Sequence, residues 1–555
     1  MCTSGSPCTS ARRERRPPPS SGSSTASFAA FGLILFGVVP WPAHGETLAE
    51  AIAYAYQSNP TLQAQRAQLR ASDEGYVQAR SAYGPNVQIQ ATASYNDDRL
   101  RRSFINGTSL PDSHPKSNLG SAQVVVDQPL YSGGRTTLEV QGAEQRIRAA
   151  REALRAVEQN VVFSVIQSYL DVRRDAQALE IRRVNLEALK LQLKETAARR
   201  RGGEVTLTDE AQAEAQLYAE EANLALAENQ LRVSQAAYTT AVGHNPGALA
   251  AEPPLPGLPV TAELAFDLAA AVSPEFRQAL LTEEASRTNV QIARTEQRPT
   301  VSLRGSYGYS STIDPFNERN RDRALTGLAT LSIPIFTSGR TSSQIRQALD
   351  VNTSDRLSIE ATRRSMVQNV ANAWNQKVTY TANIGRNEAQ VQAAELAFRG
   401  MRLEYRAGER STLDVLIAQQ TLTEAELNRL FSRHDAYIAS ALVLRYIGRL
   451  DARDIVEGIP AHDPAQHYRR VMNKGALPLE YVVKRIDGIL LPSSGQRSIP
   501  APDEAAIPQM AAPLEATSEE PVTKLPATPV AGTVSNGHLP RLEHEQEGPH
   551  GGNKL

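Results

Sequence analysis

From Arg135 to Arg201 the chain runs without a single proline. At 1.5 Å per residue, roughly 66 residues in one helix make a rod of about 100 Å. One side of the run is marked by Ile147, Ala150, Leu154, Val157, Val161, Val165, Tyr169, Val172, Ala176 and Leu179. Nine steps cover the 32 residues between the first and the last of these, a mean of 3.56. That spacing belongs to a long coiled-coil seam rather than to a globular core helix. A second run, Ser342 to Arg406, carries Val367, Val370, Trp374, Val378, Val391, Ala394, Phe398, Met401 and Tyr405. Gly202-Gly203 and Gly408 break the two rods, and each folds back as a second helix. Two helical hairpins are expected, with tips near 202–208 and 407–412. Rods without a globular core must bury their seams against neighbours.

The two rods belong to a repeat. Asn59-Pro60 recurs as Ser273-Pro274, and Pro85-Asn86-Val87 as Pro299-Thr300-Val301, both at an offset of 214. Pro129-Leu130-Tyr131-Ser132-Gly133-Gly134-Arg135 recurs as Pro334-Ile335-Phe336-Thr337-Ser338-Gly339-Arg340 at 205, as do Gly203-Glu204, Asp209 and Gly243 with Gly408-Glu409, Asp414 and Gly448. Copy one therefore carries nine extra residues between Pro85 and Pro129. The copies span 46–243 and 267–448, joined by a Pro-rich linker over 244–266. Each reads helix, strand, loop, strand, long helix, break, long helix. Strands are expected near 87–95 and 121–130, then 301–310 and 325–336, from alternating patterns bounded by turn residues. Each is about ten residues, the length of a tilted transmembrane β-strand; soluble hairpins are the other reading. The fold class is mostly α with a β-barrel contribution. Residues 449–496 have no counterpart in copy one. Residues 497–555, rich in Pro, Ala, Glu and Thr, read as a disordered tail.

Composition removes several function classes. Arg12, Arg13, Arg15 and Arg16 precede an apolar run from Ser27 to Val39, and Ala43-His44-Gly45 follows it. This reads as a signal peptide over 1–45, the run being short for a membrane span; an uncleaved anchor is the alternative. Removing it takes 59 basic and 60 acidic residues to 55 and 59, a net of −4. Cys2 and Cys8 leave with it, which suits an oxidising envelope compartment and argues against a disulfide framework or zinc cluster. Near-neutral charge argues against nucleic acid. No further apolar run reaches 18 residues, so a membrane crossing would have to be a β-barrel.

Signal peptide, two repeats, paired short strands and rods that fold back resemble the TolC family of outer-membrane channel tunnels over about 47–480. The specific segments are Gln128-Pro129-Leu130-Tyr131-Ser132-Gly133-Gly134, Ile333-Pro334-Ile335-Phe336-Thr337-Ser338-Gly339, and Tyr405 through Leu416. The resemblance implies a homotrimer in which three chains close a twelve-strand barrel above a twelve-helix tunnel, with an equatorial belt from 244–266 and 451–496. Four strands cannot close a barrel alone, and an open edge cannot face lipid. The implied partners are outer-membrane lipid, a periplasmic adaptor and an inner-membrane ABC or proton-driven pump, with no cofactor and no metal.

By the same resemblance the periplasmic gate falls on Tyr405, Arg410 and Asp414 in copy two and Thr208 and Asp209 in copy one. Tyr405 would donate to Asp209, Arg410 would approach Thr208 and Asp209, and three Asp414 carboxylates would face one axis, raising their pKa. Ile417 stands where the family's well-known member has a second Asp. The other reading of Thr206-Leu207-Thr208-Asp209 and Ser411-Thr412-Leu413-Asp414 is a helix start with an acidic residue in the first turn. Gly202, Gly203, Glu204, Ala407, Gly408 and Glu409 would dock the adaptor; alternatively they form turns that need positive φ.

Catalysis finds little support. Ser132-Gly133-Gly134-Arg135 lacks phosphate-loop spacing. His114, His244, His434 and His462 read as surface or turn residues, and His538, His544 and His550 fall in the tail. The expected function is an exit duct, of the type I protein-secretion branch before the drug-efflux branch. A trimeric coiled-coil fibre or adhesin is the alternative of another class; it would carry one barrel segment at its C-terminus instead of hairpins in both repeats.

Overall fold

The computed structural model describes residues 45–98, 104–105, 108–109, 116–311, 322–456, 458–459 and 462–488. The expected signal peptide up to His44, His114, and the expected tail with its three histidines lie outside these residues. The chain divides into units 1–491 and 492–555, and all the elements named below belong to the first.

Copy one comprises α1 (Leu48–Ser58), α2 (Pro60–Ser81), β1 (Asn86–Asp97), β2 (Phe104–Ile105), β3 (Thr108–Ser109), β4 (Lys116–Tyr131), α3 (Arg135–Arg201) and α4 (Leu207–Val242). Copy two comprises α5 (Ala262–Val272), α6 (Pro274–Thr295), β5 (Thr300–Ser311), β6 (Asp322–Ser332), α7 (Arg340–Ala407) and α8 (Thr412–Tyr446). Three short helices close the unit: α9 (Ala452–Ile455), α10 (Gln466–Val471) and α11 (Leu479–Gly488). The first residues of α1, α2 and β1 recur 214 later, and those of α3 and α4 recur 205 later. The shift between the offsets is taken up by the longer connection between β1 and β4.

Local chemistry starts these helices where they start. Thr47 caps α1 and forms a reciprocal box with Glu50. Asn59 caps α2, whose first residue is Pro60, a position where the missing N–H is harmless. The long helices α3 and α7 instead follow left-handed glycines, Gly134 and Gly339.

The four long strands form one antiparallel sheet in the order β1-β4-β5-β6. The two copies thus meet in its middle, at β4 against β5, and β1 and β6 are its edges. Register sorts its two faces. Val87, Ile89 and Ala91 stand beside Val126, Val124 and Ala122, which stand beside Gly305, Tyr307 and Tyr309. Tyr307 and Val301 then meet Leu325 and Leu331. The opposite face is mostly polar, with Gln88, Gln90, Thr92, Ser302, Arg304, Ser306 and Thr330 around Val125 and Leu328, and there Arg304 pairs with Asp127 at 2.5 Å. Apolar outside and polar inside is the pattern of a barrel wall between lipid and a wet lumen. Among the described residues no helix is long and apolar enough to cross a membrane.

The strand bounds depart most from expectation at two ends. β4 begins at Lys116 rather than 121, because β1 runs on to Asp97 and pairs with it. β6 ends at Ser332 rather than 336; Pro334 has no N–H to offer a ladder, and Ile335 and Phe336 stand 95% and 86% exposed.

The main core lies where the two hairpins return to the middle of α3. It joins Leu48 and Ile52 of α1, Val165, Ile166 and Tyr169 of α3, Tyr238 of α4, Ala265 of α5 and Leu444 of α8, with Ile447 and Leu450. The Tyr169 hydroxyl lies 2.8 Å from the carbonyls of both Glu46 and Ala250, tying the segment ahead of α1 and the linker to the rod. Along α3 the expected seam is buried at Ile147, Leu154, Val161, Val165, Tyr169, Val172 and Leu179. At Ala176 it is not: that residue is exposed, and its neighbour Asp175 is buried against Arg174. Val378 of α7 is exposed as well, 52%.

Candidate functional site: the paired helix tips

Each long helix ends in a glycine turn of the same design. Gly203 has φ +79° and Gly408 φ +81°. At the second tip the Gly408 amide donates to the Tyr405 carbonyl at 3.0 Å and the Glu409 amide to the Glu404 carbonyl at 2.9 Å. This pairing satisfies carbonyls that a helix end otherwise leaves open. At the first tip the Gly203 and Glu204 amides donate to the carbonyls of Arg200 and Arg199, both at 3.0 Å. A Cβ on Gly203 or Gly408 would meet nothing within 4 Å. The turn geometry therefore uses the glycines for their positive φ, not for close packing within the chain.

The return helices begin with reciprocal caps. The Thr206 amide donates to Asp209 Oδ2 at 2.9 Å, and the Asp209 amide to Thr206 Oγ1 at 3.2 Å. Ser411 and Asp414 repeat this at 3.1 and 3.2 Å. The Thr206 and Ser411 hydroxyls add donors to the same carboxylates. These hydroxyl donors, with the amides behind them, hold both Asp209 and Asp414 below the usual carboxylate range. The like-charge expectation for Asp414 concerns three chains on one axis; within one chain the capping donors act on it in the lowering direction.

The other expected pairs are rearranged. The Tyr405 hydroxyl sits 3.5 Å from Thr412 Oγ1, and the Asp209 carboxylate is taken up by Thr206, so the chain makes a different pairing from Tyr405 to Asp209. Arg410 donates to Glu404 of its own turn at 2.8 Å, and Thr208 is exposed. Gly202, Glu204, Ala407 and Glu409 are exposed around the two turns.

What joins the hairpins is Arg199, which sequence reasoning missed. Its guanidinium lies 4.5 Å from the centre of the Tyr405 ring and donates to the Tyr405 carbonyl at 3.3 Å. Tyr405 is only 2% exposed. Further from the tips, Gln419 of α8 donates to Asn185 of α3 at 2.9 Å, beside a small core of Leu189, Ala213 and Leu416. The triple Arg199-Arg200-Arg201 at a helix end was the available signal, but it reads equally as a favourable charge on the helix dipole.

His434 also needs correction. It lies within α8 with its side chain only 9% exposed, and its Nε2 and Nδ1 stand 2.9 Å from Asp171 and Asp435. Asp171 in turn pairs with Arg174 at 2.9 Å. A lone histidine in a helix gives no sign of a partner 263 positions away. His244 does occupy a turn, 3.2 Å from Glu46, and His462 is half-buried. Among the described residues no group of three or more His, Cys, Asp or Glu is placed to hold a metal ion.

The family described as outer membrane efflux protein matches residues 51–244 and 265–449. The chain is 32% identical over 429 residues to the outer membrane efflux protein BepC of Brucella suis, covering 77% of this chain and 91% of that protein. It is 29% identical over 427 residues to the outer membrane protein TolC of Vibrio cholerae, covering 74% and 93%. More distant relatives are named for different cargoes: the cobalt-zinc-cadmium resistance protein CzcC of Cupriavidus metallidurans at 26% over 428 residues, covering 75% and 94%, and the alkaline protease secretion protein AprF of Pseudomonas aeruginosa at 24% over 416, covering 72% and 84%. The fold matches the outer membrane protein VceC of Vibrio cholerae with a TM-score of 0.62 at 21% identity, covering 72% of this chain and 96% of that one.

Proposed function

Since the chain belongs to the outer membrane efflux protein family, we propose that three copies of it form the exit duct of a tripartite export system, with type I protein secretion as the first assignment. Channels of this family lie in the outer membrane, reach into the periplasm, and work as trimers with adaptor proteins and inner-membrane pumps. The observation that carries the reading for this chain is the four-strand sheet with one apolar face and two open edges, β1 and β6. Such a sheet is stable in lipid only when the edges close on other copies. The fibre alternative falls with the family match and with strands in both repeats. Energy comes from the pump.

Protein secretion is supported by the relative named for alkaline protease secretion. Small-molecule efflux is the second reading, favoured by the names of BepC and CzcC. Deleting the gene and measuring both the secreted proteins and the sensitivity to toxic compounds separates them. Loss of a secreted protein with unchanged sensitivity supports the first, and the reverse pattern overturns it.

The proposed gate is the ring of tips. Arg199 and Tyr405 hold each protomer's two hairpins together, and Thr208, Asp209, Arg410 and Asp414 meet their counterparts on neighbouring protomers. The exposure of Thr208 and Arg410 in the single chain supports this. Gly202, Gly203, Glu204, Ala407, Gly408 and Glu409 form the adaptor-contact rim, supported by their exposure and by the open space around Gly203 and Gly408. Single-channel conductance of the mature protein in planar bilayers, with Arg410→Ala beside the unmodified form, tests the gate. A small, steady conductance that rises in the variant is expected. Equal conductance would return Arg410 to a helix-end role, and no conductance from inserted protein would overturn the duct.

A further inference from the structure

The last helix, α11, buries an unusual side. Its inward stripe is Glu480, Val483 and Asp487. Val483 packs with Tyr83 and Val140, Glu480 stands 3.6 Å from Arg80, and Asp487 is 1% exposed. The Asp487 carboxylate accepts from the Ser132 amide and hydroxyl at 2.8 Å each and from the Gly134 amide at 3.0 Å. It also accepts from the Thr137 amide at 3.3 Å and hydroxyl at 3.0 Å. Both carboxylates of the helix are thus turned into the protein. The outward stripe is apolar: Leu479, Val482 and Ile486 are 48%, 51% and 39% exposed, with Leu477 ahead of them and Tyr481 alongside. The charges on that side, Lys484 and Arg485, are both positive and exposed.

The place of the helix departs from the equatorial position expected for 451–496: the last helix of that segment, α11, is bonded to the start of α3 and not to the middle of the rod. Ser132 follows the last residue of β4, so α11 lies at the level where the sheet ends and the rods begin. At that same end of the sheet Val87, Ile89 and Leu331 stand exposed on the apolar face, followed by Ile333, Ile335 and Phe336. The exposed apolar stripe of α11 lies at this same level of the chain, where the sheet ends. A water-facing helix would show its carboxylates and bury its leucine, valine and isoleucine; α11 does the opposite.

We propose that α11 lies in the periplasmic boundary of the outer membrane, with Leu479, Val482 and Ile486 among the upper acyl carbons of phospholipid. Tyr481 sits at headgroup level, where tyrosine is enriched. Lys484 and Arg485 extend along the surface to lipid phosphates, their stems covering apolar area. A helix of this size is a weak anchor alone, and the neighbouring barrel wall supplies the second attachment that stable membrane contact needs.

The test uses Tyr481→Trp in a Trp374→Phe background of the mature, full-length trimer. It is reconstituted into phosphatidylethanolamine–phosphatidylglycerol vesicles with or without bromine on carbons 6 and 7 of the acyl chains. The proposal expects the emission of the introduced indole to be blue-shifted and quenched by the brominated lipid. Trp374 of the unmodified protein, about 50 Å along α7 from its start, serves as the control and keeps its emission. Blue-shifted but unquenched emission from the variant would mean that a second copy covers the stripe. Red-shifted, unquenched emission would mean water does. Either result, in protein shown to be trimeric, overturns the proposal.

Discussion

Replacing Arg199 by alanine removes two contacts at once from the joint between the hairpins. The first is the guanidinium 4.5 Å from the Tyr405 ring centre. With the ring 2% exposed and the Arg199 side chain 22% exposed, such a contact is worth about 0.5–2 kcal/mol. The second is the 3.3 Å hydrogen bond to the Tyr405 carbonyl. A charged donor normally contributes about 1.5–3 kcal/mol, and the length puts this one at the low end. The ion pairs of Arg199 with Glu195 and Glu204, both at 3.9 Å, add almost nothing in a solvated setting. Together the loss is about 2–3.5 kcal/mol per protomer, which shifts the parting of the hairpins by about 30- to 300-fold. Hydrogen exchange over 185–201 and 405–416 should speed up by that order, and brief openings in single-channel records should become more frequent. Arg199→Lys keeps the charge but not the planar stack, so it should fall between the two. Unchanged exchange and unchanged openings in Arg199→Ala would refute the reasoning and leave Asn185, Gln419 and the Leu189–Leu416 core as the joint.

Other consequences are as direct. Asp487→Ala leaves the amides of Ser132, Gly134 and Thr137 without their acceptor, at a cost of about 3 kcal/mol or more; limited proteolysis should then release residues 479–488 sooner. Gly408→Ala should destabilise the second tip by about 1–2 kcal/mol through backbone conformation alone, while Gly202→Ala, at φ −78°, should be close to neutral; thermal unfolding of the two variants makes the comparison. Asp209 and Asp414 are held below the usual carboxylate range by their capping donors. Their contribution is present above the ordinary carboxylate pKa and lost as pH falls through the lowered values. Amide exchange at the starts of α4 and α8, corrected for intrinsic rates, should therefore rise in acid and not in mild base.

Much of this architecture is legible in the sequence because it is periodic. Two offsets, two glycine breaks and a seam of spacing near 3.6 are local patterns, and they mark the helices and strands. The caps at Thr206 and Ser411 are local too. What escapes is what depends on distant partners. Arg199 finds Tyr405 206 positions away, and Asp487 reaches Ser132 across 355. Asp175 takes the seam position in place of Ala176, with Gln230 of α4, 55 positions away, 3.5 Å from its carboxylate and Arg174 paired beside it. Nothing in spacing predicts these choices, since they follow from which helices end up side by side.

The two strand-to-helix turns are built alike but held differently. In copy one Gly133 has φ +69°, and a Cβ there would come within 2.8 Å of Arg298 Cβ. Asp487 then clamps the turn from outside. The equivalent turn in copy two has Ser338 at φ +49°; neither α3 nor α7 has a capping side chain at its N-cap glycine, and among the described residues no carboxylate takes the place of Asp487 there. Around a threefold ring the six joints between barrel and tunnel would therefore alternate, one welded and the next hinged. A duct made this way is mechanically a trimer even where its backbone looks sixfold. Twisting the tunnel would bend it at three joints and not at six, so the second rod of each chain would swing while the first stayed fixed to the barrel.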